Sequence, residues 1–250
     1  MINRMIHGEV HELRLNRPPV NALSPDLLRF LADEVRRSPK QGARALILSG
    51  REGLFSAGLD VPVFYKLDRE DLGRALVSFF DAIETLAASE VPVAAAITGH
   101  SPAGGAVLSL CCDWRVMAEG DFTIGLNEVR IGIPVPSLVA DLAKYAMGSR
   151  VGEAMCVSGR LLSPAEALGA GFVDELAPVG EVVATARRWC ERVVESPAQA
   201  LAETRSVLRR DLVEAIRNRR EEDTGRLAAQ WFEPELQSAM GELVERLKGE

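Results

Sequence analysis

Apolar residues recur along this chain at two spacings, and the switch between them marks out its elements. In "GEVHELRL" (8–15) apolar and polar residues alternate, the period of a strand with one face buried. "ARALILSG" (43–50) and "VPVAAAITG" (91–99) are short continuous apolar runs ending on glycine, which suits strands buried on both faces. Between and after them the period becomes helical. "SPDLLRFLADEVRRS" (24–38) opens on serine then proline, a good helix start, and "EDLGRALVSFFDAIETLAAS" (70–89) predicts a long amphipathic helix. "AVLSLCCDW" (106–114) reads as helix, and "WRVMAEGDFTIG" (114–125) as strand, turn, strand. "VPSLVADLAKYAMG" and "RVGEAMCVSG" read as helices, and "SPAEALGAGFVDELAP" as a short helix turning into a strand. From "GEVVATARRWCERVVES" onward the pattern is helical, broken near Pro197 and Pro234. Strands interleaved with helices predict an α/β fold, and the helical last third predicts an α-rich appendage. The division falls at 1–193 for the core and 194–250 for the helical region.

Composition narrows the classes. The 250 residues are 47% hydrophobic and 26% charged, ordinary for a chain that buries a real core. A net charge of −7 disfavours a nucleic-acid partner, while leaving room for a local basic patch facing a phosphorylated ligand. No apolar run reaches the ~18 residues of a membrane span, and "MINRMIHGEVHELRL" has no signal-peptide pattern, so a cytoplasmic protein is expected. Cys111, Cys112, Cys156 and Cys190 lack metal-ligand spacing and read as reduced core thiols.

Three segments carry possible chemistry. "FSAGLDV" (55–61) reads, on its own, as a loop with a left-handed glycine. In "GHSPAGGAVLSLCCD" (99–113) a strand runs through proline and two glycines into a helix. This places unpaired N–H groups at a helix start, where negative charge is favoured; a plain strand-to-helix turn explains the same residues. In "FTIGLNEVRIGIP" (122–134) a carboxylate, Glu128, sits inside an otherwise apolar run. A buried carboxylate is costly unless it is paired or used. On the residues alone, a salt bridge with Arg130 or Arg115 is the ordinary fate of such a group.

"NRPPVNALS", "FSAGLD", "GHSPAGGAVLSLCCDWRVMAE" and "IGLNEVRIGIP", in this order, resemble the crotonase, or enoyl-CoA hydratase/isomerase, superfamily. The likeness runs from about residue 8 to the end. Within the superfamily "PPVNALS", "SPAGGA", "IGLNE" and the closing "ERLK" are most similar to the mitochondrial-type Δ3,Δ2-enoyl-CoA isomerases. The resemblance implies a spiral of ββα turns followed by a helical C-terminal region that mediates trimer contacts, giving a homotrimer or dimer of trimers. It implies that the N–H groups of Leu59 and Gly104 grip the thioester oxygen of an acyl-CoA. It places substrate along Ala22, Ala57, Gly58, Leu59 and Asp60, with Asn127 orienting the carboxylate or touching substrate. No metal or redox cofactor is implied, since CoA arrives as part of the substrate.

One departure decides the reaction that the resemblance implies. Hydratases of this family use two glutamates; one position matches Glu128, and the other falls here on Val107. Water addition wants both a base for the water and an acid for the α-carbon. A single carboxylate suffices for a 1,3-proton shift, so the expectation is conversion of a 3-enoyl-CoA to the 2-trans-enoyl-CoA in unsaturated fatty acid β-oxidation. The alternatives are a hydratase or other crotonase-type reaction, and a non-catalytic acyl-CoA-binding protein. His100 reads as a loop histidine with a backbone partner, Asp113 as a structural cap or ion pair, and Asp68, Glu70 and Asp71 as a solvated helix start. Arg246 and Lys248 are candidates for meeting CoA phosphates.

Overall fold

The computed structural model describes residues 1–248. Among the described residues nine strands form two sheets: β1 (Ile2–His7), β2 (Val10–Leu15), β3 (Ala45–Ser49), β4 (Gly53–Leu54), β5 (Val93–Ile97), β6 (Gly99–Pro102), β7 (Trp114–Ala118), β8 (Ile124–Gly125) and β9 (Glu175–Ala177). The large sheet runs β1-β2-β3-β5-β7-β9, parallel except for the antiparallel β1–β2 hairpin. The small sheet, β4-β6-β8, is parallel throughout. Three times in succession the chain lays a strand in the large sheet, then a short one in the small sheet, then turns into helix. This is the expected spiral of ββα turns.

Local signals explain the helices. α1 (Pro25–Arg37) starts with Ser24 accepting the Leu27 N–H and proline in the first turn. α2 (Val61–Phe64) is capped by Asp60, and α3 (Arg69–Ala87) by Asp68, whose carboxylate accepts the Asp71 N–H. α4 (Gly104–Leu110), α5 (Ser137–Met147) and α6 (Ser149–Ser158) follow, then α7 (Pro164–Gly169), which carries a reciprocal Ser163–Glu166 capping box. α8 (Val182–Val194), the 34-residue α9 (Ala198–Trp231) and α10 (Pro234–Lys248) complete the chain, with breaks at Pro197 and Pro234 as the sequence predicts.

Both faces of the large sheet are covered, which parallel strands require. On one face Val10, Ala45, Ile47, Ala94, Ala96 and Val116 pack under Val182, Ala186 and Cys190 of α8. On the other lies the main core, and Leu212, Ile216, Leu227 and Trp231 of α9 belong to that same cluster. At the N-terminus the structure adds one strand and corrects one expectation. The segment Ile2–His7, too polar to stand out, pairs with β2 through a turn at Gly8. β2 itself is not half-buried: His11 and Glu12 are buried along with Val10, Leu13 and Leu15. Glu12 tolerates this because Ser49 and Arg14 donate to its carboxylate.

The long helix is held by buried charge. The guanidinium of Arg205 donates to Leu86 O and Ser89 O at the C-terminal end of α3, and that of Arg209 to Cys111 O and Cys112 O at the end of α4. Both arginines also bond Asp113, whose carboxylate accepts the Val93 N–H. Asp223, 1% exposed, accepts the first N–H groups of α5 from Ser137 and Leu138. In each case a side chain of α9 meets a helix end with the sign that the helix dipole favours. Removing one partner of such a buried pair strands the others. Asp113→Ala is therefore expected to cost about 3–5 kcal/mol, read as a lower midpoint of urea unfolding followed by circular dichroism.

Candidate active site

The predicted site residues stand just past the C-terminal ends of the three strands of the small sheet. β4 leads into Phe55–Asp60, β6 into Ala103 and Gly104, and β8 into Asn127 and Glu128. In an open parallel arrangement that edge is where loops diverge and ligands bind. The strands are in direct register there, Leu54 beside His100 and Pro102 beside Gly125.

The loop after β4 spends nearly all of its main-chain donors. Phe55 and Ser56 N–H donate to His100 O, Ala57 to Val20 O, Gly58 to the Ser56 hydroxyl, Asp60 to Leu23 O and Val61 to Leu59 O. Among the described residues the Leu59 N–H has no acceptor. The bonds Leu23 N to Gly58 O (2.8 Å) and Asp60 N to Leu23 O (3.2 Å) bracket it, fixing the peptide while leaving its donor free. Gly104, at the first turn of α4, likewise has no acceptor for its N–H among the described residues.

The nitrogens of these two amides lie close to one another. A Cβ built on Gly104 would lie 3.3 Å from the Leu59 nitrogen, and one built on Gly58 would lie 3.2 Å from the Gly104 nitrogen. Gly58 also has φ +86°, so both its torsion and its surroundings call for glycine. Ala103, directly before Gly104, holds φ +47° and ψ −122°, a strained conformation for a residue with a Cβ. Its N–H is tied to Gly125 O at 2.8 Å, which locks the turn to β8. Such strain gathers where a backbone group must be aimed.

Two residues beyond β8 the chain enters a 3-10 turn, Glu128–Ile131, closed by left-handed Gly132. Glu128 is 8% exposed. The salt bridge considered from sequence does not form: Arg115 makes a fork with Asp174, and the Arg130 Nε donates to Ser158 O. Among the described residues Glu128 Oε2 has no hydrogen-bond partner, and neither has Asn127 Oδ1 beside it. Burial without a counter-charge pushes the Glu128 carboxyl up from 4.5 to about 7, against a smaller downward pull from its own backbone. That is the range of a base able to take and return a proton near neutrality.

Several elements enclose this turn. Gly159, after α6, packs on Val129 and Arg130, and Gly132 packs on Ala239 and Leu236 of α10. Gly241 of α10 reaches the Tyr65 hydroxyl at the end of α2, so the last helix packs on both α2 and the Glu128 turn of its own chain. A cavity of about 500 Å³ opens there among Val129, Ile133, Pro134, Gln230 and Leu236. Another, of about 440 Å³, lies at the far end of α4 among Leu110, Cys112, Tyr145 and Trp189, away from both amides and the carboxylate.

The other candidates divide. Ala22 lies in the loop beside Leu23, bridged to Leu59, and its carbonyl accepts from Arg17. Ala57 and Asp60 hold the loop, the Asp60 carboxylate being spent on capping α2 and pairing Arg17. Val107, one turn into α4, is fully buried. His100 accepts the Thr123 N–H through Nδ1, the backbone partner expected. Cys111, Cys112 and Cys190 are buried free thiols and Cys156 is half-buried. Arg246 is exposed, and the side chain of Lys248 lies outside the described residues. Among the described residues no three His, Cys, Asp or Glu side chains gather to hold a metal ion, and no helix is long and apolar enough to cross a membrane. Sequence reasoning missed Arg17, Asn21 and Ser56. Asn21, buried with φ +48°, bonds Arg17 N and Phe55 O, and Ser56 donates to Asn21 O. An asparagine just before a helix start was the available signal, since it tolerates the left-handed region.

A sequence model of enoyl-CoA hydratase/isomerase matches residues 5–250. The chain belongs to the enoyl-CoA hydratase/isomerase family. Among curated relatives, mouse "Enoyl-CoA delta isomerase 1, mitochondrial" is 33% identical over 94% of this chain and 83% of its own length. "Probable enoyl-CoA hydratase echA17" of Mycobacterium avium is 35% identical over 76% and 74%. The crystal structure of human mitochondrial delta3-delta2-enoyl-CoA isomerase superposes with a TM-score of 0.95 at 28% identity, covering 99% of this chain and 98% of that one. This chain therefore has the crotonase fold, and its relatives include both isomerases and hydratases.

In this family member the raised Glu128 proton affinity has a cost that can be measured. A folded-state value of about 7 above the ordinary 4.5 means that the native state binds the extra proton. Its stabilising share is full below pH ~4.5 and is lost as pH rises through ~7. Glu128→Gln removes that loss. The variant is expected to gain stability over the wild type from pH 4.5 upward, reaching on the order of 3 kcal/mol at pH 8, by urea unfolding across pH.

Proposed function

We propose that this family member is a Δ3,Δ2-enoyl-CoA isomerase, moving the double bond of a 3-enoyl-CoA to the 2-trans position in the oxidation of unsaturated fatty acids. The observation that carries the reading is a buried carboxyl, Glu128, whose Oε2 has no partner among the described residues, on the strand edge that also carries two unspent amides close to each other, with Val107 in place of a second carboxylate. In the reaction, the substrate thioester oxygen rests between the N–H groups of Leu59 and Gly104. Glu128 removes a proton from C2, and the C–H electron pair forms a dienolate whose charge falls on that oxygen. The enolate then collapses: the C3–C4 π electrons take the proton back from Glu128 at C4, and a C2–C3 double bond remains. Base and acid are one group, and no atom is gained or lost.

The energetics support a division of labour. Fixed amide donors aimed at a developing oxyanion contribute about 3–4 kcal/mol each in comparable sites. The apolar setting of Glu128 keeps its proton affinity near neutrality and excludes competing water. Ala22, Ala57, Gly58 and Asp60 supply the loop backbone along which the CoA portion would lie, and Asn127 stands beside the base with an unsatisfied amide oxygen available to substrate. No separate cofactor enters this scheme. A homotrimer remains part of the proposal; exposed apolar side chains such as Val157 and Leu208 support an assembly surface.

Hydration is the competing reading, favoured by the relatives named as hydratases. It lacks a second acid/base group, so crotonyl-CoA is expected to be hydrated far more slowly than 3-hexenoyl-CoA is isomerised; the reverse order would replace the proposal. Glu128→Gln is expected to lower isomerisation by about 10²–10⁴-fold while acyl-CoA binding persists. Conversion is followed by the absorbance of the conjugated thioester at constant mass. In the wild type kcat/KM should rise with pH and level off above about 7, because the free enzyme must present the ionised carboxylate.

A further inference from the structure

The loop that aims Leu59 is held by a network the reaction does not consume. Arg17 stands at its centre. Its main-chain N–H donates to Asn21 Oδ1 (2.9 Å), its Nη1 to Ala22 O (3.0 Å), and its Nη2 pairs with the Asp60 carboxylate. Asp60 uses its other oxygen to cap α2 through the Val63 N–H (3.1 Å). Asn21 bonds Phe55 O, and Ser56 bonds Asn21 O. Ala22 and Asp60 thus flank the bridge between Leu23 and Leu59, one on each bridged segment, and a single guanidinium joins them. Asp60 is 7% exposed, so this ion pair works in a partly desolvated setting.

We propose that Arg17 is a positioning residue for the oxyanion site: by clamping Ala22 O and the Asp60 carboxylate together, it fixes the angle at which the Leu59 N–H meets the substrate carbonyl. The inference rests on the assignment of Leu59 and Gly104 as oxyanion donors. Arg17 needs no contact with the reacting atoms. Asp60 directly follows Leu59, so the clamp acts across one peptide link. Backbone bonds at 2.8 and 3.2 Å join the Leu23 and Leu59 segments, and the guanidinium adds a side-chain tie between the same two segments. A planar fork suits two separate acceptors; an ammonium serves them poorly.

The test uses cinnamoyl-CoA, a conjugated thioester whose absorption moves to longer wavelength as its carbonyl is polarised, alongside isomerisation kinetics. Wild-type protein is expected to shift the bound spectrum. Arg17→Met is expected to bind the thioester with KM changed no more than a few fold, to lose much of the shift, and to lower kcat by about 10- to 100-fold, as small misplacements of a catalytic group do. Arg17→Lys should recover part of the shift. Asp60→Asn, which keeps an oxygen for the Val63 N–H, should reproduce the Arg17→Met effect, and the double variant should be no worse than the poorer single one. The Asp60→Asn arm carries the test if Arg17→Met does not fold. Lowered thermal stability with the full spectral shift and full kcat in either variant would overturn the inference. Binding by the wild type with no spectral shift would instead overturn the oxyanion assignment on which it stands.

Discussion

A carboxylate that no cation answers is the constraint around which this structure is arranged. Glu128 is buried, its Oε2 lacks a partner among the described residues, and the two arginines considered from sequence are committed elsewhere, Arg115 to Asp174 and Arg130 to Ser158 O. Leaving a charge in that condition costs stability. The chain tolerates it because the carboxyl can hold a proton, and the same tolerance underlies the proposed role of Glu128 as base. Stability is given up at one residue and recovered elsewhere, most visibly where α9 answers three helix ends with buried charges of the right sign.

The fold turns that local condition into a site through the small sheet. Three short parallel strands end side by side, and each end delivers one component: a free amide at Leu59, a free amide at Gly104, a carboxyl at Glu128. Saturating every neighbouring donor from Phe55 to Val61 is what makes the Leu59 N–H stand out. Ala103, in a strained conformation, directly precedes the second amide, and α10 packs on the Glu128 turn.

Much of this was legible in the residues, and the reason differs by element. Helices with caps and a 3.6 period, such as α1 and α3, announce themselves locally. Glu128 stood out because a charge inside an apolar run is rare. The crotonase spiral was legible through the order of its motifs. By contrast β1 was hidden because its residues are only partly buried and its partner is across a turn. The false expectation of a half-buried β2 came from alternation that buried hydrogen bonds from Ser49 and Arg14 override. Nothing local marks Arg205, Arg209 and Asp223; their burial depends on helix ends about a hundred residues away, which no local pattern records. The free donor of Leu59 shows in no local pattern and is reached only through the family resemblance, since it is defined by what all its neighbours do.

The central claim is that one lone carboxyl faces a thioester whose oxygen is held by two backbone amides. A crystal structure of the protein with the unreactive saturated analogue hexanoyl-CoA tests it most directly. The account predicts the thioester oxygen at about 2.7–3.1 Å from the nitrogens of both Leu59 and Gly104, with the Glu128 carboxyl at about 3–3.5 Å from C2. A bound ligand whose carbonyl touches neither amide, or whose C2 lies out of reach of Glu128, would contradict it.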